Sequence, residues 1–485
     1  MYSRVTLGDV VQWTQAEIVS AHFHALPIPY IGTDTRAFES GGLFAALKGP
    51  NHNGHRYLRT ALKMGACALL CDEAVEPYGV TQEEVPVLRV SHVEKALVAI
   101  GEQMRLRFRG PVVAVTGSAG KSSTKKMAAI LCGPGTLFPP KSYNNLLGVT
   151  QTWLAVEDSH ERAVLEMGMN ASGEIREMCE IYRPQGGVLT NIGDAHIGKL
   201  GSHEALFLAK RELFDFIAQL PDCRGAAVNV SNPIVVRAYH EAFGKKQPAF
   251  TYSTAFHPGA QWYAADVHTD PKSAFLSGRL CLETESFPFA LPLFGAHHIE
   301  NLLAAMGLAR LAGVSMADVL SRVAHIQPEK HRGEVFALAQ KRILIDDSYN
   351  ANPAAMESSL ETLKKLAPER RKVLVLGEMR ELGPYADFYH QQLADHLLKL
   401  RHQGHSLFLI GVGEKMEICT REFEKKAPQL AVFCEDKTQA LAECEKQLQP
   451  NDLVYVKGSR AVELDAVCDA LRSQACNAQP EHMSE

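Results

Sequence analysis

The chain has 485 residues, which at ordinary domain size corresponds to about three domains. Its 46% hydrophobic and 22% charged residues are those of a folded, water-soluble protein. A formal net charge of −5 supplies no basic field for nucleic acid or an anionic membrane surface, and no apolar run approaches the ~18 residues of a membrane span.

In chain order, residues 1–108 form the first section. Strand-like runs at 68–71 and 85–90 and a helix over 92–108 predict a smaller α/β domain. Arg109-Gly110-Pro111 then breaks the pattern, because Pro fixes φ and Gly frees it. The second section, 109–327, opens on the apolar run Val112-Val113-Ala114-Val115-Thr116. It passes through glycines into a helix predicted over 122–131, and strand, Gly loop, helix is an α/β signature. Buried strands are expected at 163–165, 187–190 and 225–230, and helices at 203–220 and 299–312. Residues 327–333 read as a linker. The third section, 328–485, has strand candidates at 342–345, 372–376, 406–410, 431–433 and 453–456 with helical stretches between, which predicts a parallel sheet covered by helices. The tail, 473–485, is polar and expected to fray. The first ten residues lack the basic-then-apolar pattern of a secretory leader. The 11 Cys are odd in number and scattered, and Cys67 and Cys71 find no partner set for a metal. Reduced thiols and a cytoplasmic location are the expectation.

The strongest motif is Thr116-Gly117-Ser118-Ala119-Gly120-Lys121-Ser122-Ser123. A triphosphate needs converging backbone N–H donors, glycines let the backbone approach, and the helix N-terminus adds its positive end. Lys121 would reach the β/γ phosphates and the Ser122 hydroxyl would ligate Mg²⁺. The spacing, Gly-x-x-Gly-Lys-Ser, is shorter than the full phosphate-loop pattern, so a tight strand–helix turn with an exposed Lys is the competing reading.

Over 203–220, Leu206, Leu213, Ile217 and Leu220 recur at helical spacing and should face inward. Lys210 falls on that stripe. An unpaired buried ammonium costs several kcal/mol, so Lys210 is salt-bridged, snorkelling, or a low-pKa amine that takes up CO₂ to become a carbamate, an oxygen ligand suited to Mg²⁺. Glu166 and His196 each follow an apolar strand, where open α/β sheets bind ligands, and are further candidates for the metal and the γ-phosphate. Mg²⁺ prefers oxygen, which makes a His ligand less usual.

With these residues in hand the sequence resembles the Mur ligases over nearly its whole length. The matching stretches are TDTRAFESGGLFAALKG from Thr33, VTGSAGKSS from Val115, YNNLLG from Tyr143, EMGMNASGEI from Glu166, TNIGDAHI from Thr190, AKREL from Ala209, GAHHIENLLAA from Gly295, RGE from Arg332, DDSYNANP from Asp346, LGEMRELG from Leu376 and KGSR from Lys457. The resemblance implies an α/β fold of three domains: a UDP-sugar domain (1–108), a central P-loop-type mononucleotide-binding domain (109–327) and a Rossmann-like C-terminal domain for the amine substrate (328–485). It implies an ATP loop at Gly117, Ser118, Ala119, Gly120, Lys121, Ser122 and Ser123, and Mg²⁺ held through Ser122, Glu166, His196 and a carbamylated Lys210. Asn301 would contact adenine, while Arg332 and Asp347 would complete the ATP site. Thr35 and Arg36, with the loop near Asn53, Gly54 and His55, would hold the UDP-sugar, and Asn144 and Asn145 the muramoyl-peptide. Asn350 and Asn352, with the loop 377–383, would form the pocket for the amine. Asn53 stands where the family commonly has Asp, His298 where it has Asn, and Ser122 where it has Thr.

Within the family, no Gly-x-Gly-x-x-Gly lies near the N-terminus, about 110 residues precede the phosphate loop, and no Asp-Asn-Pro-Arg occurs. Asp346-Asp347-Ser348-Tyr349-Asn350-Ala351-Asn352-Pro353 points instead to the branch that joins D-alanyl-D-alanine to UDP-N-acetylmuramoyl-tripeptide, using ATP by way of an acyl-phosphate. One chain suffices for this chemistry. The alternatives are a sister amino-acid-adding ligase and a P-loop nucleotide-binding protein without ligase activity.

Overall fold

The computed structural model describes residues 5–18, 25–49, 52–81, 83–193, 200–246, 248–270, 274–282 and 285–477. Three sheets follow one another along the chain. The first has five short strands in the order Glu17–Ile18, Val87–Arg89, Ala68–Cys71, Leu43–Ala45, Ile31–Gly32, parallel except for the first pair. The helix Val93–Arg107 ends this part. It buries Val93, Ala96, Leu97, Ile100 and Met104, one stripe at helical spacing, against the helices Leu7–Thr14 and Leu146–Leu154. The second of those belongs to the central unit, so this helix joins the two.

The central sheet has nine strands, ordered Glu285–Leu291, Leu276–Leu282, Trp262–Thr269, Phe250–Ser253, Gly225–Asn229, Gly186–Leu189, Val112–Thr116, Arg162–Glu166, Thr136–Leu137. The last seven run parallel, and the first two add antiparallel to their edge. Val112–Thr116 is apolar at nearly every position because helices cover both of its faces. On one face lie Lys121–Cys132 and His297–Leu311, through Met127, Leu131, Leu302 and Met306. On the other lie Leu146–Leu154, Glu174–Tyr182, His203–Ile217 and Pro233–Phe243, through Trp153, Tyr182, Leu213 and Tyr239. Each such side chain contributes about 1.5–3 kcal/mol by leaving water.

The third sheet runs Glu334–Ala337, Ile343–Asp346, Leu453–Lys457, Lys372–Gly377, Leu407–Val412, Ala431–Cys434, parallel except for the first pair. Two apolar clusters, one around Leu374, Leu397 and Phe423 and one around Val375, Val454 and Cys468, cover its faces. The carboxyl ends of the central strands Val112–Thr116 and Arg162–Glu166, and of the third-sheet strands Ile343–Asp346, Lys372–Gly377 and Leu453–Lys457, all lead to residues lining one cavity between the two units.

Candidate active site

The loop after Val112–Thr116 turns at two glycines with positive φ: Gly117 at +151° and Gly120 at +80°. A Cβ at Gly117 would overlap Thr190 Oγ1, and one at Gly120 would overlap Asn301 Oδ1. The backbone therefore passes where no side chain fits, and Lys121 starts the helix Lys121–Cys132. Neighbouring groups pin the loop. Ser118 N–H donates to the Asn191 carbonyl (2.9 Å), and Ala119 N–H to Asn191 Oδ1 (2.9 Å). Asn301 is buried, with Oδ1 3.4 Å from the Thr124 hydroxyl.

Two lysines converge on one carbonyl of this loop. Lys121 Nζ donates to Gly117 O at 2.8 Å, and Lys210 Nζ donates to the same oxygen at 3.0 Å. Lys210 is 1% exposed, on the buried face of His203–Ile217 with Leu206, Leu213 and Ile217. Burial, and then the neighbouring Lys121, pushes its amine well below the ordinary lysine range. It finds no carboxylate partner among the described residues. Among the described residues, then, Lys210 forms no salt bridge, and at 1% exposure it does not snorkel to solvent.

Glu166 ends its strand fully buried. Its Oε1 accepts from the Ser122 hydroxyl (3.0 Å) and from Asn144 Nδ2 (2.9 Å), while Oε2 is buried without a hydrogen bond, 3.6 Å from Lys125 Nζ. A buried carboxylate oxygen with unspent acceptor capacity beside a serine hydroxyl is a hard-oxygen donor set, and it fits Mg²⁺. His196 lies outside the described residues.

The third unit supplies the opposite wall of a cavity of about 480 Å³. The Arg332 guanidinium lies 3.9 Å over the Tyr349 ring and pairs with Glu329 at 2.8 Å. Asp347 accepts from Lys457 Nζ (2.6 Å) and from the Tyr455 hydroxyl (2.9 Å), all three buried. Asn350 lines the cavity. Asn352 also lines it, but its Oδ1 caps the helix Pro353–Lys365 by accepting from Ala355 N–H at 2.9 Å. Asn145 caps Leu146–Leu154 in the same way, through Gly148 N–H at 2.9 Å. Thr35 and Arg36 stand apart. They line a second cavity, about 550 Å³, between the first unit and Leu147 of the central one, and Arg36 pairs there with Asp34 at 2.6 Å. Of the loop expected beside them, Asn53 and His55 bond to each other, Nδ1 to Oδ1 at 2.8 Å, with His55 buried.

Three contributors escaped the sequence reading. Lys125 stands one turn after Lys121, on the same helix face, and that spacing was a usable signal. Ser142 and Tyr349 had none. Their hydroxyls meet at 2.7 Å, and Ser142 reaches Ser122 at 3.1 Å, linking the third unit to the Glu166 cluster across a gap of 207 residues. On the central side of the same cavity, His298 is buried and His297 half-buried at the start of the helix His297–Leu311. Burial drives His297 down to about 4 and His298 well below its usual value, so both are neutral at pH 7.

Three family models match successive parts of the chain: Mur ligase family, catalytic domain, over residues 27–105; Mur ligase middle domain over 115–309; and Mur ligase, glutamate ligase domain, over 331–460. The UDP-N-acetylmuramoyl-tripeptide–D-alanyl-D-alanine ligase of Synechocystis is 32% identical over 98% of this chain and 99% of its own. The enzyme of that name from Escherichia coli is 29% identical over 96% and 98%. The crystal structure of MurF from Acinetobacter baumannii superposes with a TM-score of 0.81 at 27% identity, covering 96% of this chain and 98% of that one. Relatedness that spans all three sheets and both cavities leaves one assignment: the chain belongs to the Mur ligase family.

Proposed function

We propose that the chain joins D-alanyl-D-alanine to UDP-N-acetylmuramoyl-tripeptide with ATP, yielding the pentapeptide precursor of peptidoglycan, ADP and phosphate. It is an ATP-dependent, amide-forming ligase. The observation that carries the reading is the single cavity in which the phosphate loop and Glu166 face Arg332, Asp347 and Asn350 of the third unit. A phosphoryl donor and an incoming amine can meet there.

In this reading the loop 117–123 binds the phosphates through Lys121 and the N–H groups that open its helix, those of Ser118 and Ala119 being held by Asn191, and Asn301, Arg332 and Asp347 enclose the nucleotide. Ser122, Glu166, His196 and carbamylated Lys210 would hold Mg²⁺, which when bound spreads the negative charge of the phosphates. Thr35 and Arg36 hold the UDP end, while Asn144 and Asn145 border the muramoyl-peptide. Asn350 and Asn352 border the dipeptide. The peptide carboxylate attacks the γ-phosphorus in line, and Lys121 stabilises the charge that develops on the transferred oxygens. The neutral amine then attacks the acyl carbon, and the tetrahedral adduct expels phosphate. His297 and His298, neutral at pH 7, add no charge to this side of the cavity. The units divide at 108/109 and 327/328, one chain suffices, and the reading places the reaction in the cytoplasm. No helix among the described residues is long and apolar enough to cross a membrane. ADP release measured with UDP-N-acetylmuramoyl-tripeptide, with and without D-alanyl-D-alanine, tests this. Turnover that needs both supports it, and turnover indifferent to either contradicts it.

A further inference from the structure

The amine substrate ends in a free carboxylate, and something must recognise it. The third-unit cations that border the cavity are Arg332, Arg380, Lys457 and Arg460. Lys457 is buried against Asp347 at 2.6 Å. Arg332 is stacked on Tyr349 and paired with Glu329, and Arg460 approaches the same tyrosine ring at 6.0 Å while its Nη1 bonds Asp465 at 2.7 Å. Arg332 is the residue the proposed function gives to the nucleotide, and Arg460 has already broken its Nη1/Nη2 fork.

Arg380 differs. Among the described residues its guanidinium is bonded through Nε alone, to Glu378 Oε1 at 2.6 Å, and its side chain is 57% exposed, whereas that of Glu378 is 8% exposed. Glu378 is itself fixed. Its Oε2 accepts the Lys415 N–H at 3.2 Å, and Gly413, at φ +94°, wraps so closely that a Cβ there would meet the carboxyl at 3.1 Å. The Arg380 backbone N–H donates to Ser459 Oγ at 2.9 Å, which ties its loop to the one carrying Lys457. The guanidinium is thus held by its side edge while the Nη1/Nη2 fork stays open, the geometry for a bidentate carboxylate. On its far side Arg380 borders a second cavity rimmed by Glu414, Glu435, Asp436 and Glu463. Among the described residues Lys437, paired with Glu463, is the one other cation on that rim, whereas on the active-site side Lys121, Arg332, Lys457 and Arg460 outnumber Glu166, Asp347 and Glu381, so an anion is received from the active-site face.

We propose that Arg380 is the receptor for the terminal carboxylate of the amine substrate, and that Glu378 is the positioning residue that aims it. The inference rests on the ligase reading above. Wild-type turnover with D-alanyl-D-alanine checks that reading, and the comparison with D-alanyl-D-alaninamide checks this one. Losing a charge-assisted bidentate contact costs about ten- to a hundredfold in affinity. Wild-type enzyme therefore prefers the acid over the amide by about that factor in kcat/KM. In Arg380→Ala the ratio falls toward one, the dipeptide KM rises by a similar factor, and the KM values for ATP and the sugar nucleotide stay within about twofold. Arg380→Lys keeps a point charge without the fork and lies between. Glu378→Gln lowers the ratio severalfold, a change that loss of packing alone would not produce. A wild-type ratio near one, an undiminished ratio in Arg380→Ala or Glu378→Gln, or collapse of the ratio in Arg460→Ala instead overturns the proposal.

Discussion

Replacing Lys210 with Met should move stability and activity in opposite directions. The Lys210 amine is 1% exposed, and among the described residues it meets one backbone carbonyl and no carboxylate, while Lys121 shares that carbonyl. Methionine keeps the length and removes the polar group. Exchanging a buried ionisable group with no carboxylate partner for an apolar side chain of similar volume should be neutral or stabilising, on the scale of about 1–4 kcal/mol found when buried ionic groups are replaced. In a unit of this size that raises the melting point by about 2–4 °C per kcal/mol. Ligation should fall by at least ~10²-fold, the scale of losing one preorganised electrostatic group. The pH dependence has a definite sign. The folded-state pKa of Lys210 is depressed, so the unfolded chain binds more protons, and stability rises with pH from the folded value up to the unfolded one near 10.4. The difference between wild type and Lys210→Met should therefore shrink as pH rises through that window. The assays are thermal melts in CO₂-free buffer between pH 7 and 10.5, and ADP release with and without bicarbonate. The neutral amine is the form that attacks CO₂, forming an N–C bond with release of a proton, so wild-type activity should rise with bicarbonate while the variant's should not. A variant that melts several degrees lower, or that ligates at near the wild-type rate, refutes the reasoning.

Lys121→Ala should lower kcat by at least ~10²-fold with little change in fold, and near-normal ligation would remove Lys121 from its role. Gly120→Ala puts a Cβ into Asn301 at φ +80°, a strained position costing about 1–2 kcal/mol. The loop should lose nucleotide affinity, measurable by calorimetry, and unchanged binding would mean that the loop yields. Asp347→Ala leaves Lys457 buried and unpaired and should destabilise the third unit by about 3–5 kcal/mol. Tyr455→Phe removes one hydrogen bond and should cost about 1 kcal/mol, and denaturant melts that rank the two equally would contradict the assigned pairing.

The legible parts of the fold are those where one periodicity dominates. The run at 112–116 is strand throughout because both of its faces are covered, and the apolar stripe of 203–217 by itself turns Lys210 inward. The edge strands Trp262–Thr269, Leu276–Leu282 and Glu285–Leu291 were invisible. They alternate buried and open positions irregularly, a bulge interrupts the pairing of the first two, and Pro288 sits inside the outermost strand. In the first unit, strands of two or three residues carry too little pattern to register. The site divides in the same way. The phosphate loop is contiguous and could be read directly, whereas the Ser142–Tyr349 link joins residues far apart in sequence and exists only once the units pack. Asn145 and Asn352 illustrate the limit of motif reading, since an asparagine before a helix serves equally well as its cap.

The central claim is that the peptide carboxylate is phosphorylated before the amine arrives. Tripeptide substrate labelled with ¹⁸O in its terminal carboxylate, turned over with ATP and D-alanyl-D-alanine, should deliver one ¹⁸O into each phosphate released. Phosphate carrying only unlabelled oxygen, alongside full amide formation, would contradict the account.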